Sequence, residues 1–538
     1  MKKQSTTKGF AILSAAGMIV KVLSLLYIPF LGRIIGEEGW GIYSSAYRIY
    51  AFVYVLTNSG IPVAISKSVS EFMALERYED AVKSFKIARM LMMSVGTVMA
   101  VLMFVLAKPL ALATSSESST LAIMALAPTI FLTSIVSTYR GYFQGRGNMT
   151  PTAVSQVIEQ VLNTIFTLVF AAVLLKYGIE AACAGGTIGT AIGSLGAVIY
   201  LIIAYKKNKR IVVSKGYKHE KHSRYSNKQI LKKIIYYGLP IIICVGLQNA
   251  GELADLAIVK SRLIHASGYT QKLTDIKWGV YTKYRALLGV PIALISALSA
   301  SVLPSLSGAF AVKDRKSLEN KINYTFRLCL LVAIPSAVGL SVLSHPIFKL
   351  IFPDFEEGWK LMLLGSIVLV LTAVVQIQMT ILQSINKLYL STFFMILGVI
   401  GKIVANYFLV GIPQLNIVGA VFGNMICFAI PLVLNYIFIR KALKIKLSIF
   451  YHAAKPLMAS GVMGIMAYGS YLGLSTLLNN FTKGYLNNAI SCIAAIGIGV
   501  FAYMYGLVLS GGITQKDMGV LPARIKRFIP GVISKKIQ

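Results

Sequence analysis

Apolar runs long enough to cross a bilayer alternate along the chain with short stretches rich in Lys and Arg. About twenty residues at the helical rise span ~30 Å of hydrocarbon. A helix on the surface of a soluble protein would show polar residues on every turn. These runs do not, as the stretch Leu361-Met362-Leu363-Leu364 through Val374-Val375 illustrates. The first seven runs fall at 9–32, 41–65, 90–107, 120–139, 152–175, 181–205 and 234–259. The second seven fall at 279–303, 328–344, 361–384, 391–409, 417–439, 456–476 and 488–509. The pattern predicts an all-α integral membrane protein with fourteen transmembrane helices.

Fourteen helices place alternate loops on alternate sides, so charge tests the pattern. The side with both termini carries 38 Lys and Arg against 8 Asp and Glu, and the opposite side 10 against 8. The basic side is therefore read as cytoplasmic. Composition agrees: 56% of residues are hydrophobic and 13% charged, against about 25% charged in a soluble domain. A net charge of +34 would indicate nucleic acid in a soluble protein. Here it is a topology signal, and no nucleic-acid partner is expected. Lys21 interrupts the first run, which is read as a retained helix. Trp40, Trp278 and Trp359 fall at expected outer helix ends, where indoles favour the headgroup layer. Cys183, Cys244, Cys329, Cys427 and Cys492 stand singly, as small apolar packing residues.

The chain contains an internal match. Trp40-Gly41-Ile42-Tyr43 with Tyr47-Arg48 parallels Trp278-Gly279-Val280-Tyr281 with Tyr284-Arg285, one residue deleted. The matched helices are six apart and cross in the same direction, so the repeat is parallel, with a pseudo-twofold along the membrane normal. Two six-helix lobes, 1–205 and 234–440, are expected, joined by a basic cytoplasmic loop at 206–233. Two further helices lie in 441–509, followed by a basic tail at 510–538. The loop, with Lys206, Lys207, Lys209, Arg210, His219 and His222, is read as a topology-fixing linker.

Charges inside the runs are costly in hydrocarbon and mark polar cavities. They are Lys21, Arg48, Lys283, Arg285 and Lys402, with Glu159, Glu252 and Asp255. Six of these eight lie on the first two helices of each lobe. Basic side chains suit phosphate, arginine through its planar fork. Lys21, Arg48, Arg285 and Lys283 are the candidate substrate ligands. Lys283 and Arg285 point to different faces, and Arg285 matches Arg48 in the repeat. Glu252 and Asp255, one turn apart on one face, and Glu159 are candidates for charge balance or ion coupling. Gly185, Gly189 and Gly193 permit close helix contact. Gly60-Ile61-Pro62 and Gly289-Val290-Pro291 are expected to kink their helices.

Enzyme chemistry finds little support. Asp354, Glu356 and Glu357 form an acidic turn without a metal-ligand pattern, and His265 and His345 are isolated. No phosphate loop, metal site or cofactor is expected. The entry Gly32-Arg33-Ile34-Ile35-Gly36-Glu37-Glu38-Gly39-Trp40-Gly41 resembles that of helix 2 in flippases of lipid-linked oligosaccharides. So do Gly60-Ile61-Pro62 through Ser66-Lys67 and Ser70-Glu71, Tyr142-Phe143-Gln144-Gly145, and Ser155-Gln156-Val157-Ile158-Glu159-Gln160. These residues resemble the multidrug/oligosaccharidyl-lipid/polysaccharide exporter superfamily, in particular its polysaccharide biosynthesis SpoVB/YtgP branch, related to the MurJ lipid II flippases.

The resemblance implies alternating access and a cationic cavity for a pyrophosphate-sugar headgroup. Lys21, Arg48 and Arg285 then resemble the cavity cations, and helices 13 and 14 would hold a polyprenyl tail. It further implies the bacterial cytoplasmic membrane and proteins of cell-wall synthesis as partners. The expected function is export of an undecaprenyl-pyrophosphate-linked saccharide, in particular a peptidoglycan precursor such as lipid II. The alternatives are a multidrug antiporter of the same superfamily and a non-transporting scaffold of wall synthesis.

Overall fold

A computed structural model describes residues 6–207, 225–312, 314–353, 357–445, 447–479 and 484–512. Asp354, Glu356, most of the basic loop and the tail from 513 lie outside the described residues. The chain is helical almost throughout. The helices are α1 (Thr6–Asn58), α2 (Ile61–Ala74), α3 (Tyr78–Val105), α4 (Ala107–Ala113), α5 (Thr120–Gly145) and α6 (Thr150–Leu174). Next come α7 (Ile179–Lys207), α8 (Asn227–His265), α9 (Gln271–Ala311), α10 (Arg315–Val342), α11 (Ser344–Ile351) and α12 (Gly358–Gly365). The last five are α13 (Ile367–Ser384), α14 (Leu388–Leu409), α15 (Ile417–Leu443), α16 (Ile449–Leu478) and α17 (Tyr485–Leu509).

Among the described residues, thirteen helical segments are long and apolar enough to cross a membrane, and the first, Ala15–Met73, takes in most of the first expected run and all of the second. Those two runs meet in α1, which breaks at Gly36 with φ 69° and ψ −170°. A side chain would be strained there, and glycine is not. The two expected proline kinks differ. The helix ends at Asn58 and restarts at Ile61 with Pro62 in its first turn, where a missing N–H costs nothing. By contrast, α9 runs on through Pro291.

The helices form two compact units, divided between Gly279 and Val280. The seventh expected span, α8, packs within the first unit against α1 and α2. In each unit a short helix follows the third long span of the repeat, α4 after α3 and α11 after α10.

Lipid gives little hydrophobic driving force for helix association, so close packing between small residues must supply it. The glycine series on α7 does so against α6. Methyl groups at Gly185, Gly189 and Gly193 would lie 2.5, 2.4 and 2.5 Å from Phe170, Thr167 and Glu159 backbone atoms. Nearer the basic loop, α2, α3 and α5 close on Phe72, Phe85, Tyr142 and Phe143, all fully buried. The outward faces of the helices remain apolar, as at Ile465 and Phe501, which suits contact with acyl chains.

Two of the three tryptophans depart from expectation. Trp40 and Trp278 are 6% and 0% exposed and fill the protein interior. Each precedes a glycine at a tight crossing. A methyl group on Gly41 would lie 1.9 Å from the Asp275 carbonyl oxygen, and one on Gly279 would lie 3.0 Å from the Glu37 carbonyl oxygen. Backbones this close leave their bulky neighbours to fill the flanks of the contact. Cys183, Cys329, Cys427 and Cys492 are free thiols and buried.

Candidate functional site

In the first unit the cation Arg48, on α1, meets Glu252, on α8. The guanidinium lies 3.1 Å from the carboxylate, and the two side chains keep 28% and 31% of their exposure. An ion pair within spanning helices that is still partly open has access to a polar space. Asp255, one turn along α8, is buried. Lys21 lies on α1 before its break and is exposed.

Behind this pair runs a polar seam through α5, α6 and α7. Arg140 donates to Glu159 at 2.7 Å and to Ser155 at 2.9 Å, and Ser194 donates to the second Glu159 oxygen at 3.0 Å. One or two turns on, Asn163 accepts from Thr167 at 3.0 Å and Thr190 at 3.2 Å. Thr190 is also bonded to the Tyr47 hydroxyl, next in sequence to Arg48. Glu159 is thus tied by hydrogen bonds into a network of three helices.

Two further clusters in this unit were not among the expected site residues, although Lys67 and Glu71 of the second stand in a stretch that carries the resemblance. At the expected outer end, Lys260 and Asp275 form a fully buried ion pair. Lys260 also donates to Ser116 at 2.8 Å and Ser45 at 3.3 Å. Gln271 adds a bond to the Ser115 carbonyl at 2.9 Å. Together they tie the end of α8 and the start of α9 to α1. At the opposite end, Lys233 on α8 pairs with Glu71 on α2 at 2.5 Å. Tyr237 donates to the same carboxylate at 3.0 Å, and the Lys67 ammonium lies 4.0 Å from the Tyr237 ring centroid.

In the second unit, Lys283 and Arg285 separate as their spacing requires. Lys283 is fully buried, its ammonium 5.4 Å from the Phe352 ring centroid. Arg285 keeps partial exposure and lies 5.6 Å from the Tyr281 ring centroid. Tyr281 is itself fixed by Asn424 at 2.6 Å. Lys402 is buried on α14, where α14 and α15 close around Gly398.

The first unit thus offers a partly open cation within spanning helices, a carboxylate held against it, and a hydrogen-bonded polar seam on α5, α6 and α7. That arrangement suits exchange of a counter-anion more than bond chemistry.

Similarity to known proteins extends over almost the whole chain. Stage V sporulation protein B of Bacillus subtilis (strain 168) is 26% identical over 525 residues, covering 97% of this chain and 98% of its own. The lipid II flippase MurJ of the same organism is 25% identical over 550 residues, covering 98% of each. A solved structure of the lipid II flippase MurJ, in an inward closed conformation, superposes with a TM-score of 0.65 at 16% identity. It covers 93% of this chain and 98% of that one. The model of the polysaccharide biosynthesis protein family matches residues 6–310. With its apolar helices and this fold, the chain is a multi-pass membrane protein that belongs to the polysaccharide biosynthesis protein family.

Proposed function

We propose that the chain is a flippase. It carries an undecaprenyl-pyrophosphate-linked saccharide, a peptidoglycan precursor of the lipid II type, across the bacterial cytoplasmic membrane by alternating access. The observation that carries this reading is the half-open Arg48–Glu252 pair. A cation inside spanning helices is retained where a ligand needs it. A pyrophosphate offers more acceptor oxygens and more negative charge than one carboxylate, so it displaces Glu252 from the guanidinium. Glu252 balances the cation in the empty state, and loading exchanges one anion for another without exposing a bare charge. Arg285, the repeat counterpart of Arg48, and the exposed Lys21 complete the basic ligand set. Lys283, packed on Phe352, steadies the helix that presents Arg285. Asp255 supports charge balance beside Glu252. Both termini lie in the cytoplasm, in line with the loop charges.

The test is flipping of defined lipid-linked sugars in proteoliposomes containing the full chain. Arg48→Ala or Arg285→Ala should abolish flipping with normal membrane insertion, and Lys at either place should restore only part of it. Glu252→Gln should lower the thermal stability of the empty protein and leave headgroup binding intact. Continued flipping by the double Ala variant overturns the reading.

A further inference from the structure

The second unit contains a cavity of about 180 Å³ outside the region discussed above. It lies among α10, the first turns of α16 and the residues just after α17. Its lining includes Arg327, His452 and Lys455 and, among the described residues, no carboxylate. Arg327 donates to the Gly512 carbonyl at 2.8 Å and Lys455 to the Gly511 carbonyl at 2.9 Å, so the exit of α17 holds both cations at the rim. The amide of Ser448, which precedes α16, donates to Asn323 on α10 at 3.1 Å and fixes the helix entrance. Two cations and an imidazole at the start of a helix oppose its dipole, which places positive potential there as well. An anion relieves that stacking of like charge.

Depth identifies the source of the anion. Apolar runs begin at 328 and 456 and end at 509, and all three boundaries meet at this cavity. It therefore sits at the headgroup layer, on the side of the basic loops. The volume is below the roughly 300–1,000 Å³ of a site for a drug-sized ligand. It admits a phosphodiester. On α16, Tyr451, Leu457 and Met458 are 70%, 59% and 68% exposed. Tyr451 and Met458, seven residues apart, share one face of α16, and Leu457 adds apolar surface beside it. We propose that this cavity binds the headgroup phosphate of an anionic phospholipid, whose acyl chains lie along α16. Basic pockets between spanning helices commonly take such headgroups. The site is distinct from the Arg48 region and operates whatever the transported substrate is.

The experiment is native mass spectrometry of the full chain equilibrated with equimolar phosphatidylglycerol and phosphatidylcholine. A companion measurement takes melting temperature in nanodiscs of each lipid. The wild type should retain phosphatidylglycerol preferentially and melt higher in it. Arg327→Gln with Lys455→Gln should cut the preference roughly thirtyfold, about fivefold for each surface cation, and narrow the melting gap between the two lipids. Lys455→Arg, which keeps the charge, should keep the preference. If the double variant folds poorly, Lys455→Gln alone should still show about a fivefold loss. Unchanged preference in these variants overturns the proposal. So does equal stabilisation by millimolar inorganic phosphate in phosphatidylcholine, which would make this a free-phosphate site. A loss of melting temperature in phosphatidylcholine alone, with preference intact, would show the cations to be structural.

Discussion

Replacing Lys260 by Met strands the Asp275 carboxylate in a place with 1% exposure. The residual donor is Gln271, at 3.4 Å. Removing one member of a buried pair destabilises by about 3–5 kcal/mol, because the remaining charge has neither water nor a counter-charge. Asp275→Leu leaves the Lys260 ammonium with the Ser45 and Ser116 hydroxyls alone and should cost a similar amount. The double variant Lys260→Met with Asp275→Leu removes both charges and keeps the volume filled. The two serines retain acceptors of their own, Ser45 bonding the Gly41 carbonyl at 2.8 Å and Ser116 the Thr114 carbonyl at 3.0 Å. Their hydroxyls are not orphaned. The double variant should therefore return to within about 1 kcal/mol of the parent, since apolar replacement of a buried pair is commonly neutral. Thermal unfolding of the full chain in nanodiscs reads this directly. At roughly 2 °C per kcal/mol for a unit of this size, each single variant should melt roughly 6–10 °C lower. Single shifts under about 2 °C, or a double variant equal to the sum of the singles, would refute the reasoning.

Gly41→Ala should destabilise by at least about 1–3 kcal/mol, because the Asp275 carbonyl oxygen 1.9 Å from the new methyl is backbone and cannot rotate away. Gly461→Ala, in α16 with nothing within 4 Å, should instead stabilise by about 0.5–1 kcal/mol; melting of the two variants side by side checks both signs. In a cysteine-free background, a cysteine at 480 should be labelled in intact cells by an impermeant maleimide and one at 215 should not. Labelling at 215 would reverse the orientation drawn from the loop charges.

Much of the fold was legible because the bilayer imposes one rule, that a spanning segment satisfies its backbone internally and faces lipid with apolar side chains. Every expected run falls on helix, four of them across a short break at 59–60, Leu106, Leu343 or Ser366. The polar clusters were less legible, for a local reason. Arg140, Lys260, Arg327 and Lys455 each stand one residue outside an apolar run, at 139, 259, 328 and 456. A hydropathy boundary stops at the first charge, while the helix does not. α8 continues to His265 and α10 starts at Arg315, carrying those cations into packed surroundings. Partners were less legible still, since Arg48 and Glu252 are 204 positions apart and nothing in their spacing joins them. The tryptophans misled because the rule for indoles addresses helices that face lipid, whereas Trp40 and Trp278 flank a crossing of backbones.

That crossing ties the two copies of the repeated motif to one another. A methyl group on Gly41 would overlap the Asp275 carbonyl of the helix that carries Gly279, and one on Gly279 would lie 3.0 Å from the Gly41 amide nitrogen. Drift at one copy is therefore not independent of the other. A side chain gained at Gly41 must be absorbed by the backbone that carries Gly279, and the reverse holds. Resemblance between the halves at this point does not need common descent to persist; steric contact alone excludes a side chain at Gly41 and crowds one at Gly279. Where the matching residues do not touch, as with Tyr47 against Thr190 and Tyr284 against Gly365, each copy is answerable to different neighbours and has room to diverge.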